Sequence, residues 1–350
     1  MTHQHISEAL DRSLQDITGM NEIFGGKVFI MGGDFRQVLP VIPQGSRTEI
    51  INSCIRNSYL WEHIQIIRLQ QNMRAVNDPD FSQFLLRVGN YDEYHTADDM
   101  ISLPQDIVLP WKNKNPLQDL ISEVFPNLSR NANNTNYMIN RAIITSTNDH
   151  VDEINNKIIT SFPGEEISYY SFDSVESDHR SLYQPEFLNS INQGNLPPHR
   201  LILKVGCPIM LIRNIEPRSG LCNGTRLVCR SFYKKFIDAE IVTGTFKGQT
   251  TFLPRIPLKS TTNMKIPFSL TRKQFPIRLS FALTIHKSQG QTIPHVGIYL
   301  PHNVFTHGQL YVALSRGTSR KNTKILVQDG TINDCPSIFT RNVVYREVLL

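Results

Sequence analysis

Residues 24–43 read FGGKVFIMGGDFRQVLPVIP. Val28 to Met31 is an unbroken apolar run of strand length, closed by Gly32-Gly33. A run bare of polar residues fits a strand buried on both faces of a parallel sheet better than one with a wet side. The loop that follows, Gly33-Asp34-Phe35-Arg36-Gln37, then stands at the carboxyl end of that strand, where α/β folds place their ligands. Glycine lets the backbone approach a phosphate closely. A carboxamide such as Gln37 can donate to a terminal phosphate and accept from an attacking water. Read alone, the stretch also fits a tight turn with a solvent-exposed glutamine.

Upstream, ISEALDRSLQDI places Ile6, Leu10, Leu14 and Ile17 on one helical stripe. Downstream, residues 47–61 read as a helix, IIRLQ (66–70) as a short strand, and residues 78–100 as a helix followed by a loop. AIITSTNDHVDEINNKII (142–159) predicts strand, turn and helix, with Asn148 near the helix start. Strands alternating with helices argue for an α/β fold. The character changes over 160–200, where Glu165, Glu166, Asp173, Glu176 and Asp178 gather. From Leu201 short strands follow one another, with a hairpin signal at Asn223-Gly224. This pattern predicts a small β-barrel module inserted into an α/β domain. RLSFALTIHKSQGQT (278–292) returns to strand and polar loop, HNVFTHGQLYVALSRG (302–317) to helix, and KILVQ (324–328) to strand.

The chain has 350 residues, enough for two or three domains at roughly 150 residues each. With 40% hydrophobic and 19% charged residues it is neither a disordered tail nor a fibre. No apolar run reaches the ~18 residues of a membrane span. The polar, acid-bearing start is neither a signal nor a transit peptide. Cys54, Cys207, Cys222, Cys229 and Cys335 form no CxxC pair, which suggests reduced thiols in an intracellular protein. The net charge of +5 permits a nucleic-acid partner without requiring one. No nucleophile elbow, GxGxxG or metal-binding triad points to a small-molecule enzyme.

Two further stretches carry chemistry. Thr284-Ile285-His286-Lys287-Ser288-Gln289-Gly290-Gln291-Thr292 packs a cation, hydroxyls, carboxamides and a glycine closely enough to suit phosphate oxygens, or to be a polar surface loop. Arg316, closing Tyr311-Val312-Ala313-Leu314-Ser315-Arg316, could stabilise a transferring phosphoryl group, or could simply favour the helix dipole. His302 and His307, flanking the same helix, read as packing or capping residues.

Taken together these stretches resemble the petite-integration-frequency family of DNA helicases, RecD-like members of superfamily one, and most of all its eukaryotic and Helitron-like branch. The resemblance runs through EALDRSLQDI, FGGKVFIMGGDFRQVLPVIP, LQQNMR, IITSTN, GCPIMLIRNIEPRSGLCNGTRLV, FPIRLSFALTIHKSQGQT and GQLYVALSRGTS. It implies a RecA-like P-loop NTPase helicase core of α/β class. Residues 1–60 would be the remnant of the first core domain. Residues 61–160 and 276–350 would form the second, and 161–275 an inserted subdomain with an SH3-like β-barrel at about 201–243. By resemblance, Gln37 is the γ-phosphate sensor, and Arg74 and Arg316 are arginine fingers. Gly33, Asp34, Gln289 and Gly290 lie at the nucleotide, while Asn148, Thr284, His286, Lys287 and Ser288 touch DNA. The implied cofactors are ATP and Mg²⁺, and the implied partners are single-stranded and forked DNA. The implied protein is a nuclear monomer away from membranes, moving 5′→3′ in repair, recombination and telomere maintenance.

One part of such an engine is not in these residues. No GxxxxGK[ST] loop is present; at Gly25-Gly26-Lys27-Val28, Asn21 stands where a glycine is required and Val28 where a hydroxyl is. The acid pairs Asp92-Glu93 and Asp152-Glu153 lie in polar or helical contexts and read as solvated faces. In the family the Mg²⁺-binding acids precede the helix corresponding to EALDRSLQDI. The expectation is therefore a helicase lacking its N-terminal part: either an ATPase by descent, or an inactive remnant that at most binds single strands weakly. An apolar surface left bare by the missing part would make it prone to aggregate.

Overall fold

The computed structural model describes residues 2–96, 99–111, 114–175, 183–260, 268–331 and 337–349. Glu176 and Asp178 of the acidic stretch, and Cys335, lie outside them. In chain order the elements that position the site are helices α1 (Gln4–Thr18), α2 (Arg47–Asn52) and α3 (Pro79–Asn90), strand β1 (Arg141–Thr145) and helix α4 (Asn148–Ser161). Strands β2 (Pro208–Leu211), β3 (Arg226–Phe232), β4 (Phe236–Ile241), β5 (Thr250–Pro254), β6 (Ile277–Leu279) and β7 (Ala282–Thr284) follow, then helix α5 (Gln309–Leu314) and strand β8 (Thr323–Val327). The chain divides into two compact units. The first holds Met1–Asn113, Ser288–Pro294 and Ile298–Leu350; the second holds Lys114–Lys287 and His295–Gly297.

In the first unit, α3 starts at Asp78, whose carboxylate accepts from Phe81 N–H, with Pro79 in the first turn, and it ends at a left-handed Tyr91. Its buried face (Phe81, Phe84, Leu85, Val88) packs against α5. A second small core gathers Leu39, Cys54, Tyr345 and Val348 with Phe35, Ile50 and Ile51.

Five expectations for this unit change. Val28–Met31 is not a strand, and Val28 and Ile30 are 94% and 90% exposed. Ile66–Gln70 is not a strand either, and Ile66, Ile67 and Leu69 are exposed. A strand needs a neighbour for its N–H and C=O groups, and no described segment pairs with either run. The apolar stripe of α1 also turns outward, with Ile6, Leu10 and Ile17 exposed. The buried residue of that helix is Asp11, which accepts from Phe24 N–H, the Tyr59 hydroxyl and Gln15. Finally, the helix expected over 302–317 is confined to α5, because Gly308 at its start is left-handed (φ 72°). Residues 47–61 likewise form α2 and two 3₁₀ turns, Ile55–Asn57 and Tyr59–His63, rather than one helix.

In the second unit, β1 and β7 pair in parallel, Ile143 opposite Ala282 and Thr145 opposite Thr284. Helix α4 packs on them through Val151, Ile154, Ile158 and Ile159. Asn155 on its buried face closes β7: its Oδ1 accepts from Ala282 N–H (2.9 Å) and its Nδ2 donates to Leu279 O (3.2 Å). The β-rich region forms an antiparallel sheet of five strands in the order β6-β2-β3-β4-β5. This is wider than residues 201–243, because β5 and β6 join it. Asn223-Gly224 lies in the long β2–β3 connection, with Gly224 left-handed at φ 91°.

Among its described residues the second unit buries Arg226, Arg272 and Arg278. Arg272 pairs with Asp173, one of the acids gathered over 160–200, and both side chains are almost fully buried. Arg226 reaches from β3 to the carbonyls of Ile139, Met138, Arg141 and Ser280, and burial lowers its pKa to about 10. Cys54, Cys207, Cys222 and Cys229 are free thiols. Among the described residues no helix is long and apolar enough to cross a membrane.

Candidate functional site

The segment Ser288–Thr292 of the first unit is a hub. Gln37 Oε1 accepts from Gln289 Nε2 at 2.9 Å. Arg74 Nε donates to Thr292 Oγ1 at 2.9 Å. Arg316 Nη1 donates to the carbonyls of Gln291 (3.0 Å) and Ser288 (3.4 Å). Ser315 joins the two arginines, its carbonyl accepting from Arg74 (3.0 Å) and its hydroxyl from Arg316 (2.8 Å). Gln37, Arg74 and Arg316, distant in the sequence, are thus tied to one short segment.

Arg316 is 1% exposed, and its guanidinium is ringed by carbonyl and hydroxyl oxygens. Burial, and after it the like charge of Arg74, bring its pKa down to about 10. It therefore stays protonated at neutral pH. Arg74 is lowered too, by burial. Arg74 and Arg316 are thus two like charges held close together in partly dry surroundings. Asn72 fixes the first of them from behind, its Oδ1 accepting the N–H groups of Arg74 and Ala75.

The loop carrying Gln37 is held although no strand leads into it. Asp34 closes a turn on itself, its Oδ1 accepting from Arg36 N–H and its carbonyl from Gln37 N–H. Tyr311 on α5 donates its hydroxyl to Asp34 Oδ2 at 3.0 Å. Burial and that carboxylate push Tyr311 up to about 12. His307 is fully buried, with its Nε2 2.7 Å from Phe35 O and its Nδ1 accepting from Tyr345 N–H. Since Nδ1 accepts, Nε2 carries the proton and donates. Arg36 Nε donates to Asn90 at 2.6 Å and packs over Gly89. At Gly308 a Cβ would stand 2.4 Å from Arg36 O and 2.9 Å from Gln37 O, so loop and helix meet backbone to backbone. Gly33 and left-handed Gly290 (φ 82°) border open space.

In the second unit, Asn148 is exposed at the start of α4 and lies against Gly194, whose Cβ would come 2.7 Å from Asn148 Nδ2. Thr284 is buried, with Oγ1 accepting from Lys287 N–H. His286 and Lys287 are half-buried. Burial, then the charge of Arg278, bring Lys287 down to about 8; Arg213 adds to this and Asp152 opposes it. Ser288, grouped with the first unit, is fully buried and faces inward. Of the residues expected at DNA, Asn148, His286 and Lys287 are therefore the ones that meet solvent. The acid pairs are engaged elsewhere, Glu93 with Arg87 (2.8 Å) and Asp152 with Arg278 (2.8 Å). Among the described residues no cluster of His, Cys, Asp or Glu is arranged to hold a metal.

Sequence reasoning gave His307 as a packing or capping residue and assigned no role to Tyr311, Gly308, Gly89, Asn72 and Thr292. Tyr311, Asn72 and Thr292 stood inside quoted motifs, but nothing local marks a tyrosine as the partner of a carboxylate 277 positions away.

The parallel strand pair flanked by a helix and the module of antiparallel strands make a RecA-like α/β fold with a 2B domain. The PIF1-like helicase family model matches residues 1–98, and the DNA helicase Pif1 2B-domain model matches residues 186–232. Over most of its length the chain is similar to PIF1-like ATP-dependent DNA helicases. It is 27% identical over 331 residues to the Xenopus laevis ATP-dependent DNA helicase PIF1, covering 93% of this chain and 45% of that protein. To the human PIF1 it is 26% identical over 339 residues, covering 93% and 44%. The chain thus spans less than half the length of these curated relatives. The crystal structure of Pif1 helicase from Candida albicans matches its fold with a TM-score of 0.62 at 24% identity, over 100% of this chain and 73% of that one. Bacteroides Pif1 in complex with ADP-AlF3 and ssDNA matches with 0.61 at 22% identity, over 95% and 69%.

Proposed function

We propose that this chain is the phosphate-sensing and strand-gripping part of an ATP-dependent DNA helicase that moves 5′→3′ on single-stranded DNA. The observation that carries this reading is the tie of Gln37, Arg74 and Arg316 to the single segment Ser288–Thr292. Gln37 orients the attacking water, and Arg74 and Arg316 neutralise charge on the terminal phosphate. Gly33, Asp34, Gln289 and Gly290 border the nucleotide. Asn148, His286 and Lys287 meet the strand, while Thr284 and Ser288 shape that loop from inside. The domain limits 1–60, 61–160, 161–275 and 276–350 belong to this reading, as do forked DNA as partner, a nuclear location and work in repair, recombination and telomere maintenance.

ATP bound with Mg²⁺ would supply the free energy of each step, and these residues would sense its terminal phosphate. The residues that cradle the inner phosphates and the metal have no counterpart in the sequence, since no GxxxxGK[ST] loop occurs in it. This favours a second statement about the 350 residues taken alone: they bind a strand without turning over ATP. Phosphate release from the purified chain with a single-stranded oligonucleotide tests it. The expected result is no turnover. DNA-stimulated hydrolysis that Arg316→Ala abolishes would place a complete engine in this chain.

A further inference from the structure

The outer face of the β3–β4–β5 sheet carries an aromatic outcrop that the site above does not use. Tyr233 and Phe252 are 50% and 65% exposed, and Phe236 is half-buried between them. The Tyr233 and Phe236 rings stack at 4.4 Å, and Phe252 meets Phe236 edge-on at 5.1 Å. The core does not need these rings, because the alternate residues Ile237, Ala239, Ile241 and Leu253 fill the inner face.

The turn between β3 and β4 places two exposed cations, Lys234 and Lys235, beside the rings. Its shape is fixed, since Tyr233 N–H donates to Phe236 O (3.1 Å) and Tyr233 O accepts from the Tyr169 hydroxyl (2.9 Å). The acids on this face are Asp238 and Glu240, and Glu240 is paired with Arg230. Ring faces in water next to lysines match a chain of unpaired bases joined by phosphates. A duplex keeps its bases stacked inside and offers rings nothing to stack on.

We infer that this face is a second single-strand contact: Tyr233, Phe236 and Phe252 stack on bases, and Lys234 and Lys235 take the neighbouring phosphates. The inference deepens the single-strand reading above and rests on it. The test is fluorescence anisotropy of the full chain with a labelled oligothymidine, at low and moderate salt. The double variant Tyr233→Ala/Phe252→Ala is expected to bind about tenfold more weakly. Tyr233→Leu/Phe252→Leu, which keeps apolar bulk and removes the rings, is expected to weaken binding as well. Lys234→Ala/Lys235→Ala should lower the salt slope by about one to two. A thermal melt of each variant checks that the fold is kept.

Wild-type affinity in both aromatic variants, with loss in Lys287→Ala, would overturn this inference and leave the motif loop as the grip. Loss of self-association in the aromatic variants at unchanged oligonucleotide affinity would overturn it too, making the face an interface between copies. No oligonucleotide binding by the unaltered chain would overturn both readings.

Discussion

Val28–Met31 and Ala142–Thr145 are short runs that each lead into a polar loop, but they lie in opposite surroundings. Ala142, Ile143, Ile144 and Thr145 are wholly buried, paired in parallel with β7 and covered by α4. Val28 and Ile30 stand almost fully in water, and among the described residues no strand lies beside them. Apolar composition makes a segment eligible for a sheet; a neighbour that takes its N–H and C=O groups makes it a strand. The loops differ accordingly. Ser146–Asn148 is carried by the strand before it and the helix after it. Asp34–Gln37 is held from the side, by Tyr311, His307 and Gln289.

The largest effect that could break this contrast is in the core. Ile144→Ala is expected to cost about 2–5 kcal/mol, whereas Ile30→Ala should stay within about 0.5 kcal/mol, read from urea midpoints. Equal losses would mean that the 28–31 run is packed after all. The exposed run should also drive aggregation, and Ile30→Lys should raise the concentration at which the chain stays monodisperse in light scattering.

A smaller effect sharpens the second half of the contrast. Tyr311→Phe removes the bond to Asp34 and should cost about 1 kcal/mol. Hydrogen exchange should then quicken at the Arg36 and Gln37 amides and stay unchanged at 146–148. Faster exchange at both loops would show that the two are not held independently.

The smallest effect depends on pH. Burial holds His307 below its ordinary 6.5, and Nδ1 can accept from Tyr345 only when unprotonated. Its stabilising contribution is therefore complete above pH 6.5 and is lost as the pH falls below it. His199, His286 and His295 are lowered by burial as well and act in the same direction. Melting temperature should fall from pH 7 to pH 5, and His307→Gln should flatten part of that fall. An unchanged slope in the variant would remove His307 from the account.

Much of this was legible in the residues. The strand–turn–helix at 141–161, the β-rich stretch from 201 and the strand at 323–327 follow from local pattern, because their partners lie within this sequence, although 323–327 is not the last strand, since Phe339–Arg341 follows it. The runs at 28–31 and 66–70 misled because their composition asks for partners that no described segment supplies. At the site, Gln37, Arg74 and Arg316 could be named from their motifs, and the structure ties them to one segment. What joins them was hidden. Backbone carbonyls, a tyrosine hydroxyl and a neutral histidine act only across distances that sequence order does not encode.

Gly308 sits where the loop of Gln37 rests on the helix that leads to Arg316. The side chains of Gln37 and Arg316 can each turn about several single bonds. The glycine has no such latitude: at this seam a hydrogen atom is the widest group that fits. The tightest fit beside Gln37 thus falls on a residue with no chemistry of its own.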